Sequence, residues 1–370
     1  MTEDRLMRRR ISLLVAILMI LTFTGTSVAV SSEESNITGT VTEIEKFGHA
    51  VLDITIESFH AAGYDLGDIV TAAAGDSEWD MPYLNGYYVD RGEYMLRAFP
   101  GTDYIALCIN YGKFADMAGL GIGDSVTIRM KEKAGALMLQ EINNLEFSTS
   151  RDDYSSDEEF ANFRSIVEGK VYRSASPVDN QNNQAIIAEK LIADVGIQAI
   201  MNMENTEEEV AALLRGNNST PYYMELFDKG NVIALGMPVN FDSDEFAEGI
   251  VKGFSFLLDH DGPWLIHCLK GKDRAAFASM LLEMLIGWTE DELIAEYMLS
   301  YINYYKVEPG TEKYNMIVER DAKEMMRAVA GLGKDESLAG IDWQAAAEDY
   351  LLRHGMDKDS VASLKSFLTQ

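Results

Sequence analysis

The apolar pattern of this 370-residue chain changes period once, and that change constrains the fold more than any single motif. From Ile37 to about Phe147, short segments alternate apolar and polar side chains: TGTVTEI, AVLDITI and SVTIRM, with the apolar runs DIVTAAA and YIALCIN between them. A period of two marks half-buried strands. Gly-Asp pairs punctuate these strands. LGDIV (66–70) and IGDSV (122–126) are near-copies, one turn feeding one strand, used twice. A small β-barrel fits this pattern better than a sandwich. The polar, acidic stretch STSRDDYSSDE (148–158) is a natural boundary.

Beyond it, strands alternate with helices. GKVYRS (169–174), IQAIMNM (197–203), NVIALGMPV (231–239) and WLIHC (264–268) read as strands. NQAIIAEKLIADVG and TEEEVAALLRG have helical spacing and stop at glycine. SDEFAEGIVKGFSFLLDHDG opens with acidic residues and also closes at glycine, and everything from TEDELIAEYMLSYI onward is helical in character. The expected fold class is α/β, a mostly parallel sheet covered by helices on both faces, preceded by a small all-β barrel. The expected domains are 36–147 for the barrel and 158–370 for the α/β part.

The N-terminus reads as a targeting segment over residues 1–30. Arg5, Arg8, Arg9 and Arg10 precede an apolar run from Ile11 to Phe23, and small residues at 27 and 29 resemble a cleavage site. The run is short for a membrane span, so cleavage after Ala29 is preferred over an uncleaved anchor that would contact the membrane. Either way the rest of the chain is expected outside the cytoplasm, secreted or anchored. The net charge of -29 argues against nucleic acid as a partner. An anionic substrate would need a locally basic pocket. Only Cys108 and Cys268 are present, with no C-x-x-C and no His-x-x-x-His, so neither a disulfide framework nor a metal site is expected. No cofactor is expected either.

The most basic turn of this acidic chain is WLIHCLKGKDRAAF (264–277), where a buried strand becomes a helix. Ligands of open α/β sheets bind outside the carboxyl ends of the strands. A tight loop there aims successive N–H groups into one concavity, and the helix that follows adds its positive end. Leu269, Lys270, Gly271, Lys272 and Asp273 form this loop, a cradle for a tetrahedral oxyanion. Gly271 lets the backbone turn and approach closely. Arg274 offers a planar fork for two phosphate oxygens, and Lys270 and Lys272 add point charges. The same donors favour a thiolate at Cys268, a strong nucleophile.

His267-Cys268-x5-Arg274 resembles the signature loop of the protein tyrosine phosphatase superfamily. The form HCxxGKDR is most similar to the bacterial branch of tyrosine and dual-specificity phosphatases, whose members often also act on phosphoinositides. GKVYRSASP (169–177), GIQAIMNME and LIGWTEDELIAEYMLSYINY resemble flanking segments of that branch, so the likeness covers residues 160 to 370. The resemblance implies hydrolysis of phosphate monoesters through a cysteinyl-phosphate on Cys268, with Arg274 clamping the phosphate. It gives His267 a supporting part, setting the loop. The partner is then a phosphorylated small molecule or a phosphoprotein, and two loop lysines favour substrates with several phosphates. Two positions depart from the pattern. Ala275 stands where the family has Ser or Thr, whose hydroxyl assists the second step, and Glu204 stands where its strand commonly ends in arginine. Ala275 supports an alternative, a catalytically impaired member that binds a phosphorylated ligand.

The resemblance also calls for a general acid on the loop after the preceding strand. PVNFDSDEF (238–246) is in that place and offers Asp242 and Asp244. Asp242 is the expected donor. Asp244 and Glu245 are better placed to start the next helix. Asp273 is expected as a structural tie to loop amides or to Arg173. In the barrel, EKFGHAVLDI, GDIVT and YIALCINYGKFADMAGLGIGDSVTI resemble the C-terminal barrel of the S-adenosylmethionine hydroxide adenosyltransferases, with His49 in place of the usual Asn. That likeness implies a binding module of unknown ligand, an adenosyl compound being one candidate. His49 and His60 read as fillers rather than metal ligands, and Cys108 as a buried strand residue.

Overall fold

A computed structural model describes residues 36–216, 220–334 and 336–370. The targeting segment expected over residues 1–30 lies outside the described residues. Among those described, no helix is long and apolar enough to cross a membrane. Two compact units divide the chain, the first ending at Leu137 and the second running from Met138 to Gln370. Residues 138–147, assigned by their pattern to the barrel, fold with the second unit, where Ile142 enters the core.

The first unit is a closed barrel of seven strands: β1 (Ile37–Ile44), β2 (Ala50–Thr55), β3 (Ile69–Ala74), β4 (Ser77–Leu84), β5 (Tyr94–Arg97), β6 (Tyr104–Ile109) and β7 (Ser125–Glu132). Their order around the barrel is β1-β2-β6-β5-β4-β3-β7, and the β1–β7 pairing closes it. Closure removes the exposed edges an open sheet would carry. The repeated Gly-Asp turns feed β3 and β7, which pair side by side. Val41, Leu52, Phe59, Tyr64, Val70, Leu107, Phe114 and Ile128 fill the interior. FADMA is a short helix packed on it, through Phe114 and Ala115.

The second unit is built on a five-stranded sheet: β8 (Arg164–Val167), β9 (Val171–Ser174), β10 (Ala199–Asn202), β11 (Val232–Ala234) and β12 (Trp264–His267), in the order β11-β10-β12-β9-β8. All pairs are parallel except β8 with β9. The antiparallel edge strand β8 was not legible in the sequence, because its four residues mix Arg and Ser with Ile and Val. Alternation along the central strands sends Ala199, Met201, Trp264 and Ile266 into one core and Ile200 and Leu265 into another. Burying both faces is why these strands read as continuous apolar runs. The helix Arg274–Leu285 is buried along its length from Ala275 to Leu285 against the first of these cores. Parallel pairing brings Ser174, Asn202 and His267 to one level at the carboxyl edge of the sheet.

Candidate active site

Cys268 follows β12 directly, at the centre of that edge, and Leu269 to Asp273 lead into the helix Arg274–Leu285. Gly271 has φ +63, and a Cβ there would lie 2.3 Å from the Ser174 carbonyl oxygen. Only glycine fits, both for its left-handed backbone and for the approach of β9.

Every carbonyl from Leu269 to Lys272 is taken by a donor outside the loop. The Ser176 amide donates to Leu269 O at 3.1 Å, and Tyr304 Oη to Lys270 O at 2.9 Å. Asn162 Nδ2 donates to Lys270 O and Gly271 O, both at 3.2 Å. Arg173 Nη2 donates to Gly271 O at 2.6 Å and Lys272 O at 3.2 Å. These donors, all from outside the loop, hold its backbone in place. The helix begins at Arg274 with no side-chain cap from Asp273, so its first N–H groups take no partner from that residue.

A buried ionic frame supports this hold. Arg173 is 0% exposed and reaches Glu296 Oε2 at 2.7 Å, while Arg164 reaches Glu296 Oε1 at 2.6 Å. Burial opposes ionisation of Glu296, but the two guanidiniums outweigh it and hold its pKa down. Glu283, buried nearby, is pushed up by burial and by the charge of Glu296. Ser300 Oγ joins Asn162 and Arg164. None of Asn162, Arg164, Glu296 and Tyr304 stood out in the sequence. A visible signal was Arg173, a charged residue inside an apolar strand, and its partners could not be read from one chain of letters.

Cys268 is 3% exposed and is a free cysteine. Arg274 donates through Nη1 to Met237 O at 2.8 Å and through Nη2 to the Glu204 carboxylate. Glu204 Oε2 also accepts from the Leu269 amide at 3.1 Å. His267 is fully buried, and burial lowers its imidazole to about 3, so it is neutral at pH 7 and adds no positive charge beside Cys268. Its Nε2 lies 3.4 Å from Tyr223 Oη.

The two lysines have different partners. Lys272 Nζ bonds Asp273 Oδ1 at 2.6 Å and Tyr301 Oη at 3.0 Å, and lies 4.4 Å from the Tyr301 ring centroid. Burial weakens this cation, but Asp273 and the tyrosines outweigh it and raise its pKa. Lys270 Nζ lies 4.9 Å from the Phe147 ring centroid. Asp273 therefore ties down Lys272, and the partner of Arg173 is Glu296.

Asp242 is exposed, in the turn before the helix Asp244–Leu258, and its charge acts on Tyr350. Just before its segment Met237 O takes Arg274, and within it the Phe241 ring stacks on Phe277 of the core at 5.5 Å. Ser243 caps the helix, with Asp244 and Glu245 in its first turn. Among the described contacts, the carboxylate that touches the Leu269 amide and Arg274 is Glu204.

Residues 158–370, which contain this whole arrangement, match the model of the tyrosine phosphatase family. The chain belongs to that family. No protein among curated sequences matches it. Among solved structures it is similar to an uncharacterized conserved protein from Thermotoga maritima, at 22% identity over 25% of this chain, with a TM-score of 0.24. The similarity spans 35% of that protein's length. It is also similar to the core catalytic domain of the PP-IP phosphatase SIW14 from S. cerevisiae in complex with citrate, at 15% identity over 46% of this chain and 91% of that one, with a TM-score of 0.26.

Proposed function

We propose that this member of the family hydrolyses a phosphate monoester by way of a cysteinyl-phosphate on Cys268. The observation that carries the reading is the loop whose four carbonyls from Leu269 to Lys272 are each held outward by an external donor. In this reading the loop amides and Arg274 bind the phosphate oxygens. Cys268 Sγ attacks phosphorus, the bond from phosphorus to the leaving oxygen breaks, and Asp242 gives that oxygen its proton. Water then attacks phosphorus, the P–S bond breaks, and the water's proton goes to Asp242. Amides fixed before substrate arrives stabilise the charge of each transition state without reorganising.

The surroundings favour a substrate with a single phosphate, such as phosphotyrosine, over one with several. Lys272 is committed to Asp273 and Tyr301, and Lys270 lies over Phe147. A cleft of about 650 Å³ includes Val178, Asp179, Ile186, Glu209, Leu213 and Asn205, the residue after Glu204. Its lining is apolar and acidic, suited to an uncharged or cationic leaving group. The test is turnover of p-nitrophenyl phosphate, a phosphotyrosine peptide and an inositol polyphosphate by wild type and Cys268→Ser. Wild type no faster than Cys268→Ser would end the enzyme reading. Asp242→Asn is expected to lower kcat about a hundredfold on the peptide; an unchanged kcat would remove Asp242 from the role.

Ala275, fully buried at the helix start, favours a second reading, a site that binds phosphate and turns over slowly. Trapping a long-lived phosphocysteine would support it. The basic and then apolar N-terminus supports export of the chain. For the barrel the proposed role is ligand binding, supported by an open cleft of about 660 Å³ that includes Phe47, His49, Tyr87, Asn110 and Tyr111. Calorimetry with adenosine and S-adenosylmethionine tests one candidate class.

A further inference from the structure

We propose that Glu204 is a specificity-determining residue of the phosphate site, an internal carboxylate that a phosphate must displace and that selects against further negative charge. The inference rests on the reading of the loop as a phosphate cradle.

Glu204 Oε2 accepts from the Leu269 amide and from Arg274 Nη2, one backbone donor and one guanidinium donor of the cradle. An oxyanion and this carboxylate therefore compete for the same hydrogens. The placement is built rather than incidental. Asn202, fully buried at the end of β10, accepts through Oδ1 from the amides of Glu204 at 2.9 Å and Asn205 at 3.1 Å. Its Nδ2 is anchored on Tyr223 Oη at 3.0 Å. These bonds fix the backbone of Glu204, so only the side chain is free to leave.

The carboxylate also satisfies Arg274 incompletely. Nη1 goes to Met237 O and Nη2 to Glu204, while the buried Nε has no partner among the described residues. A tetrahedral oxyanion in the same place could take Nε and Nη2 as a fork and leave no orphan. Displacement thus trades one guanidinium donor for two. It also leaves the displaced charge on a short tether at the rim, beside Asn205 and the acidic cleft. Each further negative charge on the ligand meets that carboxylate at close range, with less screening than in bulk water. A monoester feels it once and a pyrophosphate more strongly.

The experiment is calorimetric titration of the full chain with inorganic phosphate and with inorganic pyrophosphate, for wild type, Glu204→Gln and Glu204→Ala, with thermal unfolding to confirm folding. Glutamine keeps the shape and removes the charge. Phosphate should bind about tenfold more tightly to Glu204→Gln, as for a site freed from an internal competitor that holds it roughly nine-tenths of the time. Pyrophosphate should gain more than phosphate. Were Glu204 only a strut for Arg274, both folded variants would bind phosphate more weakly, and unchanged or weaker binding in both overturns the proposal. Equal gains for the two anions overturn the charge selection. Turnover of p-nitrophenyl phosphate by Cys268→Ser is measured in parallel. If that variant keeps wild-type turnover while Glu204→Gln still tightens on phosphate, the catalytic reading falls and this one stands. Absence of anion binding to every form overturns the cradle and this proposal with it.

Discussion

Cys108 and Cys268 are both free and both nearly inaccessible, at 0% and 3% exposure, yet the two units give them opposite surroundings. Cys108 lies inside β6, where the backbone polar groups are consumed by pairing with β2 and β5. Among the described residues its Sγ finds only the Ala106 carbonyl, at 3.6 Å, and burial pushes the thiol up to about 12. Cys268 sits where β12 has just ended. The backbone beyond it leaves the ladder, its carbonyls are taken by other elements, and the Leu269 amide and Arg274 bond the Glu204 carboxylate. Burial is common to both cysteines. What separates them is whether the neighbouring N–H groups are spent on the sheet or held free of it.

The largest effect expected of this contrast is on turnover. Cys268→Ser should lower kcat on p-nitrophenyl phosphate by about ten-thousandfold or more, because an alcohol is far less nucleophilic than a thiolate. Cys108→Ser should leave kcat unchanged and cost the barrel about 1–3 kcal/mol, read by thermal unfolding, for a buried hydroxyl. Loss of turnover in Cys108→Ser would break the comparison.

Next comes a pair of glycines, both with positive φ. Gly271→Ala drives a methyl into the Ser174 carbonyl and should lower kcat about a hundredfold, a loop displacement being enough for that. Gly63→Ala, at φ +93 with no atom within 4 Å of the new Cβ, should cost the barrel about 1 kcal/mol of backbone strain and no activity.

A third pair sets a buried guanidinium against an exposed one. Arg173→Met removes the donor to Gly271 O and Lys272 O and leaves Glu296 one partner short. As a positioning residue it should lower kcat about tenfold or more with a smaller change in KM. Arg129→Met breaks an exposed bidentate pair with Glu78 and should move barrel stability by less than about 1 kcal/mol. Equal losses of kcat from the two would show that the buried frame does not set the loop.

The effect smallest per unit change of condition is a pH slope. The imidazole of His267 is lowered by burial from 6.5 to about 3, so the unfolded chain binds a proton that the folded chain refuses throughout that window. Unfolding free energy then rises with pH between those values, and the stabilisation is lost as pH falls from 6.5 toward 3, by at most about 1.4 kcal/mol per pH unit. His267→Asn should flatten this slope in urea titrations of the second unit. In the barrel, Arg97 bonds Glu45 and holds its carboxyl below 4.5 against burial, so acid loss there should begin only below that pH. A barrel transition with the steeper slope above pH 4.5 would reverse the assignment.

Much of the fold could be read from spacing alone. The shift from period two to alternating strands and helices separated barrel from α/β unit, because side-chain periodicity follows directly from backbone geometry. The repeated Gly-Asp turns read as two entries into strands, and both glycines have the positive φ such turns need, +93 at Gly67 and +97 at Gly123. The boundary moved, since 138–147 carries too little pattern to say which core it joins. The helix closed by Gly196 ended where glycine said it would, at φ +76.

By itself the sequence determined what local order can determine: where strands and helices run, that a glycine stands in the tight turn after β12, and that a cysteine and an arginine lie on either side of it. Tertiary structure decided which charges reach that turn. It turned Lys272 onto Asp273 and Tyr301, drew Arg173 from β9 to the loop carbonyls, and set Glu204 from the end of β10 on Arg274 and the Leu269 amide. These partners are 65 or more residues apart where strands meet, and one and 29 residues apart where Lys272 turns inward. In either case, side-chain direction at a sheet edge depends on the packing of distant elements, which neither spacing nor composition records.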